Sequence, residues 1–429
     1  MNHTTPSADD RVPRAVAAGP GGADGTPGGD AGRAVLPRLV AVDPDTFARE
    51  YWGRRALLSP AGDLPQDFSD LLSAEAVDEL VSERGLRTPF LRVAKNGATL
   101  ADRAFTAPGG VGAGIADQVS DDRLVSLFAD GSTMVLQALH RVWPPILELC
   151  QQLAGELGHP VQANAYVTPP QNQGFSNHYD VHDVFVLQIE GEKRWQIHAP
   201  VLESPLRDQP WSDRKAAVAA RAAEEPLIEA VLKPGDCLYL PRGFLHAATA
   251  LGGVSTHLTI GVHSWTRHAL AEQLLQQALR TVAADPAVRG SLPLGVDLGR
   301  PEDLADDVDA VRAALVTALG SADLQRLSEV LHTSARSSQR AAPVGPLRQL
   351  RTAEELQPGT VLALRAHLAA RLVGQGSATV VRSRAADLAV GETEVPAVRR
   401  LLETGTATVG ELGEDLARRL VLGGLVVSG

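Results

Sequence analysis

The stretch between about residues 160 and 265 limits the possible fold more than any other, because it is dense in β-forming sequence. The apolar run Asp183 to Ile189 has the length of a strand, and Glu190-Gly191-Glu192 predicts a tight turn into a second strand, Lys193 to His198. Further strands are expected at 162–168, 227–232, 237–240 and 255–262. Short strands separated by glycine- and proline-containing turns predict an antiparallel double-sheet barrel, or jelly roll.

Helical patterns flank this barrel, so the fold class is predicted to be α+β. The segment 124–157, broken at Pro144-Pro145, reads as helical, and so do the stretches that follow Trp265. Two helices and a terminal strand near the end of the chain suit a small winged-helix-like unit. The predicted units are a disordered tail (1–36), a barrel domain with helical N-terminal elements (37–265), a helical region (266–335), a linker (336–349) and the winged-helix-like domain (350–429).

The charge balance argues against a protein that coats nucleic acid or anionic lipid. The chain has 40 Lys and Arg against 51 Asp and Glu, a formal net charge of -11. Residues 351–429 contain nine Arg and nine acidic residues, so direct DNA binding is not expected of this segment. No apolar run is long enough to span a bilayer, and the N-terminus lacks a signal-peptide core. We therefore expect a cytoplasmic protein without membrane contact.

A His-x-Asp sequence stands immediately before the first long strand. His178 and Asp180 are two residues apart, so in extended backbone both side chains project from the same face. His246 follows a later strand and turn of the same domain. Two histidines and one carboxylate form the facial triad of non-haem Fe(II) oxygenases, which leaves coordination positions open. The alternative is a pair of turn residues that caps a strand.

Lys193 is predicted to point into the barrel. It shares strand parity with Trp195 and Ile197, whereas Arg194 and Gln196 point to the opposite face. A buried ammonium requires a partner, and the distal carboxylate of a dicarboxylate cosubstrate would supply one. The alternative is a lysine whose charged end reaches solvent at the mouth of the barrel.

The sequence resembles the JmjC-type cupin family of ribosomal oxygenases, which are 2-oxoglutarate-dependent protein hydroxylases. The resemblance is carried by the run from His178 to Trp195 together with four further stretches. These stretches are Phe47–Gly53 with Leu57-Leu58, Ala163–Pro170, Pro234–His246 and Ser255–Thr259. It implies a double-stranded β-helix core at about residues 40–265. More loosely, it implies a helical dimerisation region at 266–335 and a C-terminal winged-helix-like domain.

The resemblance also implies roles for particular residues. It makes His178, Asp180 and His246 the Fe(II) ligands and Lys193 the partner of the distal carboxylate of 2-oxoglutarate. Asn164 and Tyr166 match polar positions that face the cosubstrate; their alternative is ordinary strand polarity. His182 is interpreted as structural or substrate-facing, and His257 as a strand histidine near the pocket.

The function implied is hydroxylation of an amino-acid side chain with Fe(II), 2-oxoglutarate and O2. The expected substrate is a protein or peptide, with a ribosomal protein first because such proteins are basic and this chain is acidic. The alternatives are a precursor peptide or a free small metabolite as substrate. From another class, the chain could be a non-catalytic cupin that serves as a binding or regulatory module. A homodimer is also expected.

Overall fold

The computed structural model describes residues 35–95, 97–170, 172, 175–375 and 378–429. Residues 1–34 of the predicted tail lie outside this range. The predicted boundary at residue 36 is wrong by two residues, because Val35 is already buried and Leu36 begins a helix. The Glu156 carboxylate accepts hydrogen bonds from both backbone N–H groups, at 2.6 and 2.8 Å. This contact holds the two residues against the folded domain.

Among the described residues before 265 there are eleven strands, and nine of them form one antiparallel sheet. The strands are β1 (Leu57–Ser59), β2 (Leu91–Lys95), β3 (Ala98–Thr99), β4 (Thr106–Ala107), β5 (Gln118–Val119), β6 (Thr133–Leu136), β7 (Val161–Thr168), β8 (Asp183–His198), β9 (Ile228–Leu232), β10 (Cys237–Leu240) and β11 (Leu245–Val262). The sheet order is β1-β10-β8-β11-β7-β6-β2-β3, with β9 paired to β8, while β4 and β5 pair separately. Antiparallel pairing throughout confirms the predicted class of β core.

The two longest strands, β8 and β11, each pass through both halves of this core. The first half of β8 pairs with β10 and the end of β11, whereas its second half pairs with β9 and the start of β11. The predicted tight turn at Glu190–Glu192 is wrong, because the strand continues through it. Gly191 takes φ +64° there, and a Cβ would lie 2.1 Å from the Val254 carbonyl oxygen. The positive φ, which glycine adopts without steric penalty, lets the strand bend.

The predicted helix over 124–157 is interrupted by strand β6. The helices of the described residues from 35 to 225 are α1 (Leu36–Leu39), α2 (Pro44–Thr46), α3 (Ala74–Ser82), α4 (Asp121–Ala129), α5 (Leu139–Val142), α6 (Pro144–Leu157) and α7 (Lys215–Ala222). Single turns of 3-10 or π-helix occupy Phe47–Tyr51, Ala61–Asp63, Asp102–Ala104 and Trp211–Arg214. Gly131 at φ +87° follows α4, and the apolar segment Thr133–Leu136 then pairs with both β2 and β7. Sheet pairing decides the structure of this segment.

The N-terminal helical turns cover one face of the sheet. Phe47 lies with its ring centroid 4.9 Å from that of Tyr239 and 6.0 Å from that of Phe185, and all three side chains are almost completely buried. The Tyr239 hydroxyl accepts a hydrogen bond from the Gly53 N–H at 2.8 Å. This cluster fixes the sheet from outside, so the opposite, interior face is left for the site.

The remaining chain is helical and then mixed. Its helices are α8 (Arg267–Val282), α9 (Pro301–Gly320), α10 (Leu324–Ser338), α11 (Pro346–Glu354), α12 (Val395–Thr404), α13 (Val409–Leu412) and α14 (Glu414–Leu422). Its strands are β12 (Val361–Leu364), β13 (Arg371–Gln375), β14 (Ala378–Arg382), β15 (Asp387–Val390), β16 (Thr406–Thr408) and β17 (Val426–Ser428). The predicted linker 336–349 is too long at both ends, because α10 and α11 extend into it.

The C-terminal segment contains two three-stranded sheets, ordered β16-β12-β17 and β13-β14-β15. The predicted late helices and terminal strand are present, while the winged-helix-like description of the unit stays a prediction. Among the described residues, no helix combines the length and apolar character that a bilayer span requires.

Candidate metal and cosubstrate site

His178, Asp180 and His246 come together at one end of the β core. One ligand atom from each residue lies within 4.8 Å of the other two. His178 and Asp180 precede β8, whereas His246 is the second residue of β11. An isolated antiparallel bridge joins the two histidines. Backbone pairing therefore brings the two distant parts of the triad to the same place.

Hydrogen bonds orient both imidazoles. The Nδ1 atom of His178 lies 2.8 Å from the Ser176 carbonyl oxygen, and the Nδ1 atom of His246 lies 3.1 Å from that of Phe244. Because a carbonyl accepts only from an N–H, each Nδ1 carries the hydrogen and each Nε2 is free to bind a metal. The Nε2 atom of His246 is 3.7 Å from Oδ2 of Asp180. Metal-binding histidines in proteins are held in this way.

The charge states also suit a divalent cation. Burial, followed by the neighbouring His178, lowers the pKa of His246 to about 4, so this imidazole is neutral at neutral pH. Burial by itself raises the pKa of Asp180, but the surrounding imidazoles, His182 first, leave that pKa below its ordinary value. The site thus offers two imidazole nitrogens and a carboxylate, a donor set that fits Fe(II) and leaves coordination positions open.

Lys193 is buried inside the core, as its strand parity predicted. Its side chain lies on the same side of β8 as Trp195 and Ile197, and the residue is 3% exposed. Its Nζ donates a hydrogen bond to Oγ1 of Thr168 at 3.1 Å and lies 3.5 Å from Nδ1 of His257. Burial lowers the pKa of Lys193 to about 7. No carboxylate of the described residues forms an ion pair with it, so an anionic ligand would find an unpaired cation.

One cavity connects Lys193 to the three candidate metal ligands. It has about 530 Å³ of empty volume, including space open to solvent, and its wall contains all four of these residues. The other lining residues are Thr133, Tyr166, Phe175, Val184, Val186, Trp195, Ala247, Ala248, His257 and Thr259. A dicarboxylate in this cavity could reach the metal position at one end and the ammonium at the other.

The two remaining candidates differ in position. Tyr166 lines the cavity, and its ring stacks on His257 with centroids 4.9 Å apart. Asn164 is absent from the described cavity wall, and its side-chain oxygen accepts a hydrogen bond from Ala138 N–H at 3.0 Å. Ala138 has φ +54° at the start of α5, so Asn164 supports a strained turn there. The expectation that Asn164 faces a cosubstrate therefore finds no support in this geometry.

The other histidines take distinct places. His257 is buried beside Lys193, in agreement with its interpretation as a strand histidine near the pocket. His182 stacks on His263 with centroids 5.0 Å apart, and its ring packs against Gly261. This contact favours the structural interpretation of His182.

The sequence patterns did not indicate two residues that contact the site. Thr168 binds the Lys193 ammonium, and its shared parity with Tyr166 on β7 was the signal that could have identified it. Arg92 on β2 contacts two residues of the cavity wall: its guanidinium lies 5.3 Å from the Phe175 ring centroid, and its Nη2 is 3.5 Å from the Tyr166 hydroxyl. No local pattern indicates the position of Arg92, because β2 joins this wall only through sheet pairing.

Comparisons with known proteins identify a domain in this chain. Residues 141–270 match the model of the JmjC domain family. The chain is 31% identical over 264 residues to a bifunctional lysine-specific demethylase and histidyl-hydroxylase NO66 of Drosophila mojavensis, a match that covers 60% of this chain and 28% of the relative. It is 32% identical over 285 residues to ribosomal oxygenase 1 of Gallus gallus, a match that covers 65% of this chain and 45% of the relative. The chain thus spans less than half the length of these two relatives.

Solved structures show a similar fold. Escherichia coli ribosomal oxygenase YcfD superposes with a TM-score of 0.54 at 18% identity, over 91% of this chain and 99% of that one. YcfD in complex with cobalt and 2-oxoglutarate gives a TM-score of 0.52 at 19% identity, over 90% of this chain and 98% of that one. Together with the family match and the two relatives, this likeness confirms the resemblance found in the sequence motifs: residues 141–270 match the JmjC domain, and the described part of the chain has a fold similar to that of the ribosomal oxygenase YcfD.

Proposed function

We propose that the protein is an Fe(II)- and 2-oxoglutarate-dependent oxygenase that hydroxylates an amino-acid side chain of a protein, with a ribosomal protein as the first candidate. The observation that carries this proposal is a single cavity that contains both a two-histidine, one-carboxylate donor set and a buried lysine that forms no ion pair with the described residues. The names of the relatives and the cobalt and 2-oxoglutarate in the YcfD complex support the same chemistry.

Each part of the cavity has a task in this reaction. His178, Asp180 and His246 would hold the iron, and Lys193 would bind the distal carboxylate of 2-oxoglutarate. The bound iron and cosubstrate would supply oxygen activation and oxidation of a substrate C–H bond, with 2-oxoglutarate converted to succinate and carbon dioxide. The pKa of Lys193 would rise when a carboxylate pairs with it, so the lysine would keep its proton in the complex.

The apolar wall supports this assignment. Trp195, Val184 and Val186 line the cavity beside the candidate ligands and are almost fully buried. Such a wall limits the access of water to the reacting centre, and it strengthens the attraction between the ammonium and a carboxylate.

The test is incubation with Fe(II), 2-oxoglutarate and air, followed by mass spectrometry of intact ribosomal proteins for the gain of one oxygen atom. The wild type should produce the oxygenated protein and stoichiometric succinate. His178→Ala should lose both products, whereas His268→Ala, which changes an exposed histidine on α8, should keep them. Parallel reactions with short peptides and free amino acids distinguish the alternative substrates. If the wild type turns over no 2-oxoglutarate with any of these substrates, the binding-module alternative would be favoured.

We also propose a homodimer formed through the predicted 266–335 region. Leu275 and Leu279 on α8 are each 49% exposed, and Leu270 is 38% exposed, which would suit an apolar contact between two copies. Sedimentation analysis should find a dimer that Leu275→Glu weakens.

A cytoplasmic location is proposed as well, and the two free, buried cysteines, Cys150 and Cys237, are compatible with a reducing compartment.

A further inference from the structure

A second cavity lies between the JmjC domain and the C-terminal segment, away from the candidate metal site. Arg141 on α5, Arg340 after α10, and Arg365 and Arg384 from the C-terminal segment all line it. Its empty volume is about 1150 Å³, including space open to solvent, and none of the described residues in its wall is acidic. Four guanidinium groups from three parts of an acidic chain thus meet in one concave surface.

These arginines are not neutralised by the protein. No ion pair joins any of the four to a carboxylate of the described residues. Arg141 and Arg340 also donate no side-chain hydrogen bond within the described part of the chain. Burial lowers the pKa of Arg141, and the nearby charge of Arg340 lowers that pKa further. The carboxylate of Glu148, on the neighbouring helix, pairs instead with His367 at 3.5 Å. Like charges in one cavity repel each other, so an anion there would relieve the repulsion.

Buried polar atoms in the same wall also lack partners. Gln151 is only 7% exposed; its Nε2 donates to the Arg340 carbonyl oxygen at 2.8 Å, but its Oε1 accepts no hydrogen bond. Arg384 donates from Nη1 to the His367 carbonyl oxygen at 2.9 Å, yet its buried Nε has no acceptor. Buried polar groups are nearly always paired in folded proteins. The wall therefore offers one unused acceptor and one unused donor to a ligand.

We propose that this cavity binds the phosphate groups of a nucleotide, either free or as part of an RNA strand. Guanidinium groups bind phosphate oxygens through paired, charge-assisted hydrogen bonds, and four of them match a ligand with several negative charges better than a single carboxylate. The ribose hydroxyls or base amino groups of a nucleotide would supply the donor that Gln151 Oε1 lacks. This site is separate from the proposed hydroxylation and does not depend on it.

The ligand would contact two units at once. Arg365 already ties the segment before α11 to the C-terminal unit, with Nε donating to the Ala342 carbonyl oxygen at 2.6 Å and Nη1 to that of Gly424 at 3.0 Å. Phosphates held by Arg141 on one side and Arg384 on the other would join the JmjC domain to this unit. Binding should therefore slow amide hydrogen exchange in residues 339–345.

The test is calorimetric titration of the metal-free, full-length protein with pyrophosphate, ADP and a ten-nucleotide RNA at low salt. We expect saturable binding of ADP and weaker binding of pyrophosphate. The variant R141Q/R340Q should bind ADP at least about tenfold more weakly, because the loss of one charge-assisted hydrogen bond weakens binding by about this factor. Tighter binding of RNA than of ADP, with strong salt dependence, would assign the site to a strand; the reverse would assign it to a free nucleotide.

Two controls keep the result interpretable. R399Q removes an exposed arginine on α12 and should leave every affinity unchanged. R340E reverses the charge of an exposed side chain without a protein partner, so it should fold normally and abolish binding. If no phosphate ligand binds, or if R340E and R141Q/R340Q bind as the wild type does, the proposal is wrong. Because binding is measured directly, that outcome leaves the proposed hydroxylation untouched.

Discussion

His178 and His246 exchange two backbone hydrogen bonds: the His178 nitrogen lies 3.2 Å from the His246 carbonyl oxygen, and the His246 nitrogen lies 2.9 Å from the His178 carbonyl oxygen. The same pair presents imidazole rings whose centroids lie 4.4 Å apart. The backbone bridge thus sets the separation of the two candidate ligands. Because the bridge exists only in the folded sheet, a bound metal should stabilise the folded state.

His246→Ala is expected to weaken metal binding by about a hundredfold or more. Removal of a residue that only hydrogen-bonds to a metal ligand can already lower metal affinity by up to about that factor. Titration of the metal-free protein with Co(II), followed by visible absorption, measures the affinity. His268→Ala should bind Co(II) as the wild type does. Equal affinities in the wild type and His246→Ala would contradict the assignment of His246 as a ligand.

Lys193 should make the stability of the metal-free protein depend on pH. Its pKa is about 7 in the folded state against an ordinary value of 10.5, so between these values the unfolded state binds more protons. The free energy of unfolding should therefore rise with pH above 7, by at most about 1.4 kcal/mol per pH unit from this group.

Urea unfolding between pH 7 and 9 measures this dependence. Lys193→Met removes the buried ammonium and should flatten the rise, whereas Lys215→Met, at an exposed lysine on α7, should keep it. Lys193→Met should also lose affinity for 2-oxoglutarate. A rise of equal slope in both variants would show that Lys193 is not the group responsible.

Thr168→Val should destabilise the protein at pH 6, where Lys193 carries its charge. The substitution removes the hydroxyl that accepts from the ammonium at 3.1 Å, and a lost hydrogen bond to a charged group reduces stability by about 1.5–3 kcal/mol. Thr168→Ser retains the hydroxyl and should lose much less. Denaturant unfolding compares the two, and equal losses would assign the effect to packing instead.

Gly191→Ala should destabilise the core by more than about 2 kcal/mol, because strain at positive φ adds to a collision with the Val254 carbonyl oxygen. Gly252→Ala is the matched control: its φ is +65°, yet nothing lies within 4 Å of an added Cβ. It should show only the strain, about 1 kcal/mol. Thermal unfolding compares the stability of the two variants. Similar losses of stability would show that the backbone at Gly191 shifts enough to accommodate the added methyl group.

Local periodicity was enough to predict the β core and the direction of Lys193. Alternation from Lys193 to Ile197 depends only on the pleat of a strand, so parity holds within this half of β8. Asn164 has the parity of Tyr166, but its side-chain oxygen accepts a hydrogen bond from Ala138 N–H, and Asn164 is absent from the described cavity wall. Parity defines the face on which a side chain lies, but it does not show which neighbour meets that side chain along the strand.

The tight turn predicted at Gly191 shows a second limit of local pattern. A glycine between two strand-like runs is typical of a hairpin, yet here β8 continues because each of its halves finds separate partners in β10, β9 and β11. Likewise, the apolar segment Thr133–Leu136 became a strand because β2 and β7 were available on both sides. Pairing partners far away in sequence decided both outcomes.

The sequence by itself determined the class of the core, the His-x-Asp pair on one face and the inward lysine, because these follow from spacing along a single strand or its entrance. Only the tertiary structure decided that His246 meets that pair, that Thr168 accepts from Lys193, and that four arginines face one cavity. Those contacts join segments distant in the chain, and no local pattern specifies which distant segments meet.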